Sequence, residues 1–361
     1  MNKDFWRDRP VLITGCSGFL GTWLSLRLVD AGARVVGLVR DDVPGTNFAR
    51  SRLKVKMAIA RGSVTDVATV ERVLNEYSID TCFHLAAQAI VGIANRSPVS
   101  TFESNIAGTW TLLDAVLRSS TVRRVVVASS DKAYGVYPEE SLPYLEHYPS
   151  KAIYPYDVSK ACADMIARCY FQTYFNKRKN ANVALGVMRC GNIFGGGDLN
   201  FGRIVPDTVW AAIHDERPVI RSHGRHIRDF IYVLDAAEGY LTLAEQLTRD
   251  GVNGEAFNFA LESPVSVIEL VEKILWVTKK TQLKPEVRLD MPAPDEILAQ
   301  HLSAQKARER LGWKAVCSLE DGLRDTIDWY EHWKNVCAKP AESLDEYNIN
   351  LIRRFDDMAT S

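Results

Sequence analysis

Between residues 10 and 130, apolar runs of strand length alternate with stretches of helical periodicity, and this alternation restricts the fold more than any other feature. PVLITG (10–15), RVVGLVRD (34–41), KMAIARGS (56–63), TCFHLAA (81–87) and VRRVVVASS (122–130) read as five strands. Most of them are apolar at successive positions rather than alternate ones, the pattern of a strand covered on both faces. Helical stretches lie between them, at 19–32, 67–78 and 102–119. Parallel neighbours need a crossover, so strand–helix–strand repetition implies a parallel sheet. The expected class is α/β, a doubly wound parallel sheet of Rossmann type, whose ligands sit beyond the carboxyl ends of the strands.

From about residue 190 the pattern loosens. GNIFGGGDLNFG is glycine-rich, and prolines interrupt the chain at 218, 264, 285, 292 and 294. Helical periodicity persists at 204–216, 234–248, 267–280 and 303–313. Residues 1–190 with 230–258 are therefore expected to form a dinucleotide-binding domain. Residues 191–229 with 259–335 would form a smaller, irregular lobe closing over it, and 336–361 a charged tail docking loosely. A net charge of -1 over 361 residues gives no electrostatic footprint for nucleic acid or an anionic membrane. No apolar run is long enough to span a bilayer, and the N-terminal run is too short for a signal peptide, so a cytoplasmic location is expected. Seven scattered cysteines without a CxxC pair argue against zinc and against a disulfide scaffold, and no metal is expected.

TGCSGFLG places Gly15, Gly18 and Gly21 between the first strand and the first helix. Glycines there let backbone N–H groups approach a pyrophosphate at a helix N-terminus, where the dipole favours anions. Ser17, Phe19 and Leu20 belong to the same turn. Leu85, Ala86 and Ala87 follow the fourth strand, and Ser63 and Val64 lie where a residue flanking adenine is expected. The second strand ends in Arg40-Asp41. A carboxylate there would accept from the adenosine ribose 2′-OH, whereas an arginine would pair with a 2′-phosphate. NAD through Asp41 is favoured over NADP through Arg40, because a carboxylate repels a 2′-phosphate.

Tyr156 and Lys160 lie four apart in PYDVSK, on one face of a helix. Bringing a phenol from a pKa of ~10 to ~7 takes ~4 kcal/mol. A cationic Lys160 and an oxidised nicotinamide would both favour the phenolate, making Tyr156 a base for a hydroxyl proton. Upstream, Asp131-Lys132 sets a carboxylate and an amine at the mouth of the fifth strand.

TGCSGFLG, HLAAQ, ESNIAGT, SSDKAYG, PYDVSK, RCGNIFGGGD and HIRDFIYV occur in this order across roughly residues 8 to 330. In this set the chain resembles the extended short-chain dehydrogenase/reductases of the nucleotide-sugar epimerase/dehydratase group. It is similar to the CDP-glucose 4,6-dehydratases in its Asp-Lys pair, its GNxxGGGD segment and its early Phe5-Trp6. The resemblance implies a nucleotide-diphosphate sugar as partner and a homodimer built on helices 102–119 and 154–175. Tyr156 would be the base for C4 oxidation, with Lys160 on the nicotinamide ribose and Ser130 on the sugar hydroxyl. Asn192 and Arg228 would hold the diphosphate, with Gln88 and Arg203 also toward the substrate. Asn105 would shape its helix, and His84 would have no catalytic role.

Elimination of water across C5–C6 needs a base for the C5 proton and an acid for the departing C6 hydroxyl. Asp131 and Lys132 would supply them. Lysine is a base only when neutral; a charged Lys132 would instead stabilise the enolate at C4. A 4-epimerase would use the same tyrosine, lysine and cofactor without an elimination pair. A cofactor-binding regulator without catalysis is the remaining reading.

Overall fold

The computed structural model describes residues 1–176, 183–289, 297–339 and 342–360. Seven parallel strands form one sheet: β1 (Pro10–Thr14), β2 (Arg34–Val39), β3 (Ala58–Arg61), β4 (Thr81–His84), β5 (Arg124–Ser130), β6 (Ala184–Cys190) and β7 (Ala256–Phe259). Their spatial order is β7-β6-β5-β4-β1-β2-β3. Strand alternation sorts the side chains between two cores. Val11 and Ile13 pack with Phe83 and Val126 on one face, and Leu12 packs with Cys82, Val125 and Val127 on the other. All seven residues of β6 are buried. Strands β1 to β3 extend to one side and β4 to β7 to the other, so the crevice opens at the carboxyl ends of β1 and β4.

The helices that bear on the site are α1 (Phe19–Asp30), α2 (Gly108–Arg118), α3 (Pro155–Tyr170), α4 (Val233–Gln246), α5 (Leu319–Cys337) and α6 (Asp345–Thr360). Short strand pairs make up the smaller lobe. Asn192–Phe194 pairs in parallel with Phe230–Tyr232. Ile227–Arg228 lies between Val265–Ser266 and Ala299–Gln300. The prolines at 292 and 294 lie outside the described residues.

The glycine-rich segment has a packing reason. A Cβ on Gly196 would lie 2.1 Å from the Trp329 ring, and Gly195 and Gly197 have φ of +152° and +93°. Trp23 Nε1 donates to the Gly196 carbonyl at 2.7 Å, so the segment is wedged between α1 and α5.

The tail docks more firmly than its charge suggests. Leu351, Ile352 and Phe355 of α6 are buried. Asn348 accepts from Trp329 Nε1 at 3.0 Å and donates to Asn47 at 2.7 Å. Arg27, buried on α1, pairs with Glu238 at 2.7 Å and with Asp356 of α6 at 2.8 Å. Charged residues of α6 conceal one apolar stripe, which periodicity over 16 residues could have revealed. Among the described residues no helix is long and apolar enough to cross a membrane, and no cluster of ligating side chains is placed to hold a metal.

Candidate active site

The dinucleotide turn is built by close approach. Gly15 has φ +76°, and a Cβ on it would meet the Ala86 nitrogen at 2.8 Å. A Cβ on Gly21 would lie 2.1 Å from the Gly15 carbonyl oxygen. Gly18 is the N-cap of α1, and no side chain caps that helix. Its first-turn amides, at Phe19, Leu20 and Gly21, therefore face the crevice beside Ser17 and suit a pyrophosphate. Leu85 and Ala86 are anchored to Thr14 through its carbonyl (3.1 Å) and hydroxyl (3.2 Å), with half-buried Ala87 next in line. These features fit a bound dinucleotide.

At the adenosine end Arg40 Nε donates to Asp41 at 2.6 Å, both side chains being exposed. Arg40 and Asp41 thus form one exposed pair. Ser63 Oγ bonds Thr65 Oγ1 at 2.8 Å. Val64 is buried against Gly108, where a Cβ would come within 2.7 Å of it; this close approach explains the glycine of ESNIAGT.

The chemistry-bearing side chains meet where β5 ends. Ser130 keeps extended backbone, and the chain then enters a 3₁₀ turn, Asp131–Tyr134. Ser130 Oγ donates to Asp131 Oδ1 at 2.7 Å and accepts from the Lys132 amide at 3.2 Å. Asp131 is buried, and among the described residues it makes no ion pair with Lys132. Across from this turn α3 starts at Pro155, where a missing N–H costs nothing. Tyr156 and Lys160 follow one helical turn apart, both buried. Lys160 Nζ donates to the Ala128 carbonyl of β5 at 2.9 Å.

Burial holds the Tyr156 phenol above its ordinary value, and the Asp131 carboxylate adds to this; a hydrogen bond with Ser130 and the charge of Arg203 oppose it. The phenol is thus raised, not lowered as the spacing of Tyr156 and Lys160 led one to expect. Burial pushes the Lys160 ammonium down to about 8. His84, buried between Thr14 (2.9 Å) and Thr109 (3.1 Å), is pushed down to about 3 by burial and is a neutral core histidine.

Of the substrate-side residues, Asn192 holds a buried Nδ2 without a hydrogen-bond partner among the described residues. Arg203 pairs with Asp198 and donates to the Ile193 carbonyl at 2.7 Å. Arg228 is buried and donates to the carbonyls of Ile297 (2.6 Å), Ile227 (2.8 Å) and Leu298 (3.2 Å), which ties it to the lobe's own backbone. Gln88 is held through its backbone. Its amide donates to Asn105 Oδ1 at 2.6 Å, and Asn105 Nδ2 donates to the Gln88 carbonyl (3.1 Å) and to Ser159 Oγ (2.8 Å). Asn105 lies in a π-turn, Glu103–Ala107, a distortion often placed at functional sites. It braces α3, since Ser159 in turn donates to the Tyr156 carbonyl at 2.7 Å.

Sequence reasoning missed two residues. Asp157 is a buried carboxyl beside Tyr156; burial pushes it up to about 6, against the pull of the Lys132 ammonium. Its signal was available in PYDVSK, an acid next to Tyr156 and three residues before Lys160. Gln300 donates through Nε2 to the Asp131 carbonyl at 3.2 Å, and no motif marks it.

The family profile described as GDP-mannose 4,6 dehydratase matches residues 12–326. A CDP-glucose 4,6-dehydratase of Salmonella typhimurium (strain LT2) is 32% identical over 354 residues, covering 94% of this chain and 96% of the relative. The structure of a UDP-glucose 4-epimerase with UDP-glucose from Thermotoga maritima superposes with TM-score 0.78 at 25% identity, over 90% of this chain and 99% of the other. MoeE5 in complex with UDP-glucuronic acid and NAD superposes with TM-score 0.75 at 25% identity and the same coverage.

Proposed function

The chain belongs to the GDP-mannose 4,6 dehydratase family, and within it we propose an NAD-dependent nucleotide-sugar 4,6-dehydratase whose first substrate to test is CDP-glucose. The observation that carries this reading is the Asp131–Lys132 turn facing Tyr156 across Ser130. The relative from Salmonella supports the choice of sugar nucleotide. When bound, the dinucleotide supplies a hydride acceptor for C4 and the same hydride for C6 after elimination.

Each protein group has a task. Tyr156 is the base for the C4 hydroxyl proton, its phenolate needing the positive charge of a bound oxidised nicotinamide to offset its burial, while Ser130 fixes the approach of that hydroxyl. Lys160 holds the nicotinamide ribose, and Asp41 the adenosine ribose. The C4 ketone acidifies C5–H, so a base of modest strength suffices. Asp131 and Lys132 share the two proton transfers of the elimination, at C5 and at the C6 hydroxyl. Asn192, whose buried Nδ2 has no partner among the described residues, binds the substrate, and Arg203 and Arg228 lend positive charge to the diphosphate. A 4-epimerase would need Tyr156 and Lys160 but has no use for a buried acid and an amine beside them.

Two copies of the chain are part of this reading. Val99, Trp110, Met165 and Tyr174 are exposed apolar side chains on the segment before α2, on α2, on α3 and just beyond it. They suit a helical interface between subunits. The seven free thiols suit a reducing cytoplasm.

The test is to incubate the protein and NAD with CDP-, UDP-, GDP- and dTDP-hexoses and to weigh the products. Loss of one water from one hexose nucleotide is expected. Isomerisation at constant mass would sink the dehydratase reading.

A further inference from the structure

Gln300 is fully buried in the strand Ala299–Gln300 of the smaller lobe. Strand pairing sets it opposite Arg228. Arg228 in turn donates to the carbonyls of Ile297 and Leu298, at the entry to the same strand. From there the Gln300 amide crosses to the other lobe and donates to the Asp131 carbonyl at 3.2 Å. Its Oε1 is buried and has no hydrogen-bond partner among the described residues. An unpaired buried amide oxygen costs about 1–3 kcal/mol, so for packing alone leucine or methionine would serve better. The next residues run along the chain that follows the turn: Tyr144 N donates to His301 O at 3.0 Å, and Ser303 N to Tyr144 O at 3.1 Å.

We propose that Gln300 is a positioning residue for elimination, a strut by which the arm carrying Arg228 holds the Asp131–Lys132 turn in place. This rests on the dehydratase reading of the same site. Ser130 pins the turn from the sheet side, through the Asp131 carboxylate and the Lys132 amide. Gln300 pins it from the opposite lobe, through the Asp131 carbonyl. Tyr156 and Lys160 are placed differently, by Pro155, by the Asn105–Ser159 bond and by the Ala128 carbonyl. Removing the strut therefore separates the two half-reactions: oxidation keeps its geometry, and elimination loses it.

The test uses Gln300→Leu and Gln300→Glu in the full chain with CDP-glucose and NAD. Reduced-nicotinamide absorbance in a single turnover reports oxidation, and product mass reports loss of water. Gln300→Leu should leave the absorbance rise within about twofold while dehydration falls by roughly 10–10², the cost of a reacting group misplaced by about 1 Å. Gln300→Glu adds a signature that mere packing would not. A protonated carboxyl donates again to the Asp131 carbonyl, so dehydration relative to oxidation should recover as pH falls, unlike in the parent protein. Equal losses in both steps, or a ratio indifferent to pH, would overturn the proposal. Unfolding of both variants would do so too, by assigning Gln300 to stability. If the parent protein removes no water from any hexose nucleotide, it is the dehydratase reading that fails.

Discussion

Asp157 sits beside Tyr156 in the first turn of α3, 2% exposed, and burial lifts its carboxyl from 3.8 to about 6. At ~1.36 kcal/mol per pH unit, holding it ionised in the folded state costs about 3 kcal/mol. The residual attraction of the Lys132 ammonium is already contained in that shift. Asp157→Asn removes the charge at nearly constant volume. Its amide adds donors that need partners, which returns about 1–2 kcal/mol of the gain. A net stabilisation of about 1–2 kcal/mol is expected near pH 7.5. The sign follows from linkage. A folded pKa above the unfolded value gives stabilisation that is complete below 3.8 and is lost as pH rises through about 6. The penalty on the parent protein thus builds up across that window and is full only above it, and the advantage of the variant should vanish near pH 4. Urea unfolding at the two pH values, compared through the midpoints, measures it. Equal destabilisation at both would refute the reasoning, because it would make Asp157 a hydrogen-bonded structural acid. The same variant should lose dehydration activity, since Lys132 loses its opposing charge; stability would then have been surrendered for function.

Lys132→Ala should keep formation of reduced nicotinamide while dehydration falls by ~10² or more; equal loss of both steps would contradict its place in elimination. Gly21→Ala places a Cβ 2.1 Å from the Gly15 carbonyl oxygen, so the turn must open. Titration calorimetry should find NAD bound at least about tenfold more weakly, and an unchanged Kd would refute the cradle. Asp41→Ser frees Arg40 from its 2.6 Å bond. The ratio of NADP to NAD affinity should rise about tenfold, and a constant ratio would deny Asp41 the ribose.

The sheet was legible through its first five strands, whereas β6, seven buried residues ALGVMRC, was not read as a strand. Strands β1 to β5 and the longer helices at 19–30, 67–76 and 108–118 follow from pattern alone, as do Gly15, Gly18 and Gly21, because a turn that tolerates no Cβ leaves a mark in the sequence; the short helices at 47–50, 53–56 and 91–96 do not. Strand β7 was not legible either: AFNF is interrupted by a buried Asn258, and it joins the sheet only through pairing with β6. The GGGD segment was visible as a motif, but its cause lies in Trp329, more than a hundred residues away. The site divides in the same way. Tyr156, Lys160 and the acid–amine pair announce themselves by spacing and neighbourhood. Gln300 does not, because its partner is a main-chain carbonyl, which has no residue type. Nor could spacing forecast that Arg228 is engaged by the backbone of its own lobe.

Asp131 and Lys132 are adjacent in sequence and would form a surface ion pair in most loops. Here the backbone decides otherwise. A 3₁₀ turn has three residues per revolution, so neighbouring side chains diverge by about 120°. Asp131 turns to Ser130 and influences Tyr156; the Lys132 ammonium acts on Asp157. An acid and an amine that neutralised each other would serve neither proton transfer, whereas separated partners leave each with its own acid–base task. The consequence is measurable by double-mutant cycles on stability. The pair Lys132→Met and Asp157→Asn should couple by about 1 kcal/mol or more, and Asp131→Asn with Lys132→Met by less than about 0.5 kcal/mol, although only the second pair is contiguous. The reverse ordering would mean that the contiguous residues do form the ion pair, and the division of labour between them would fall with it.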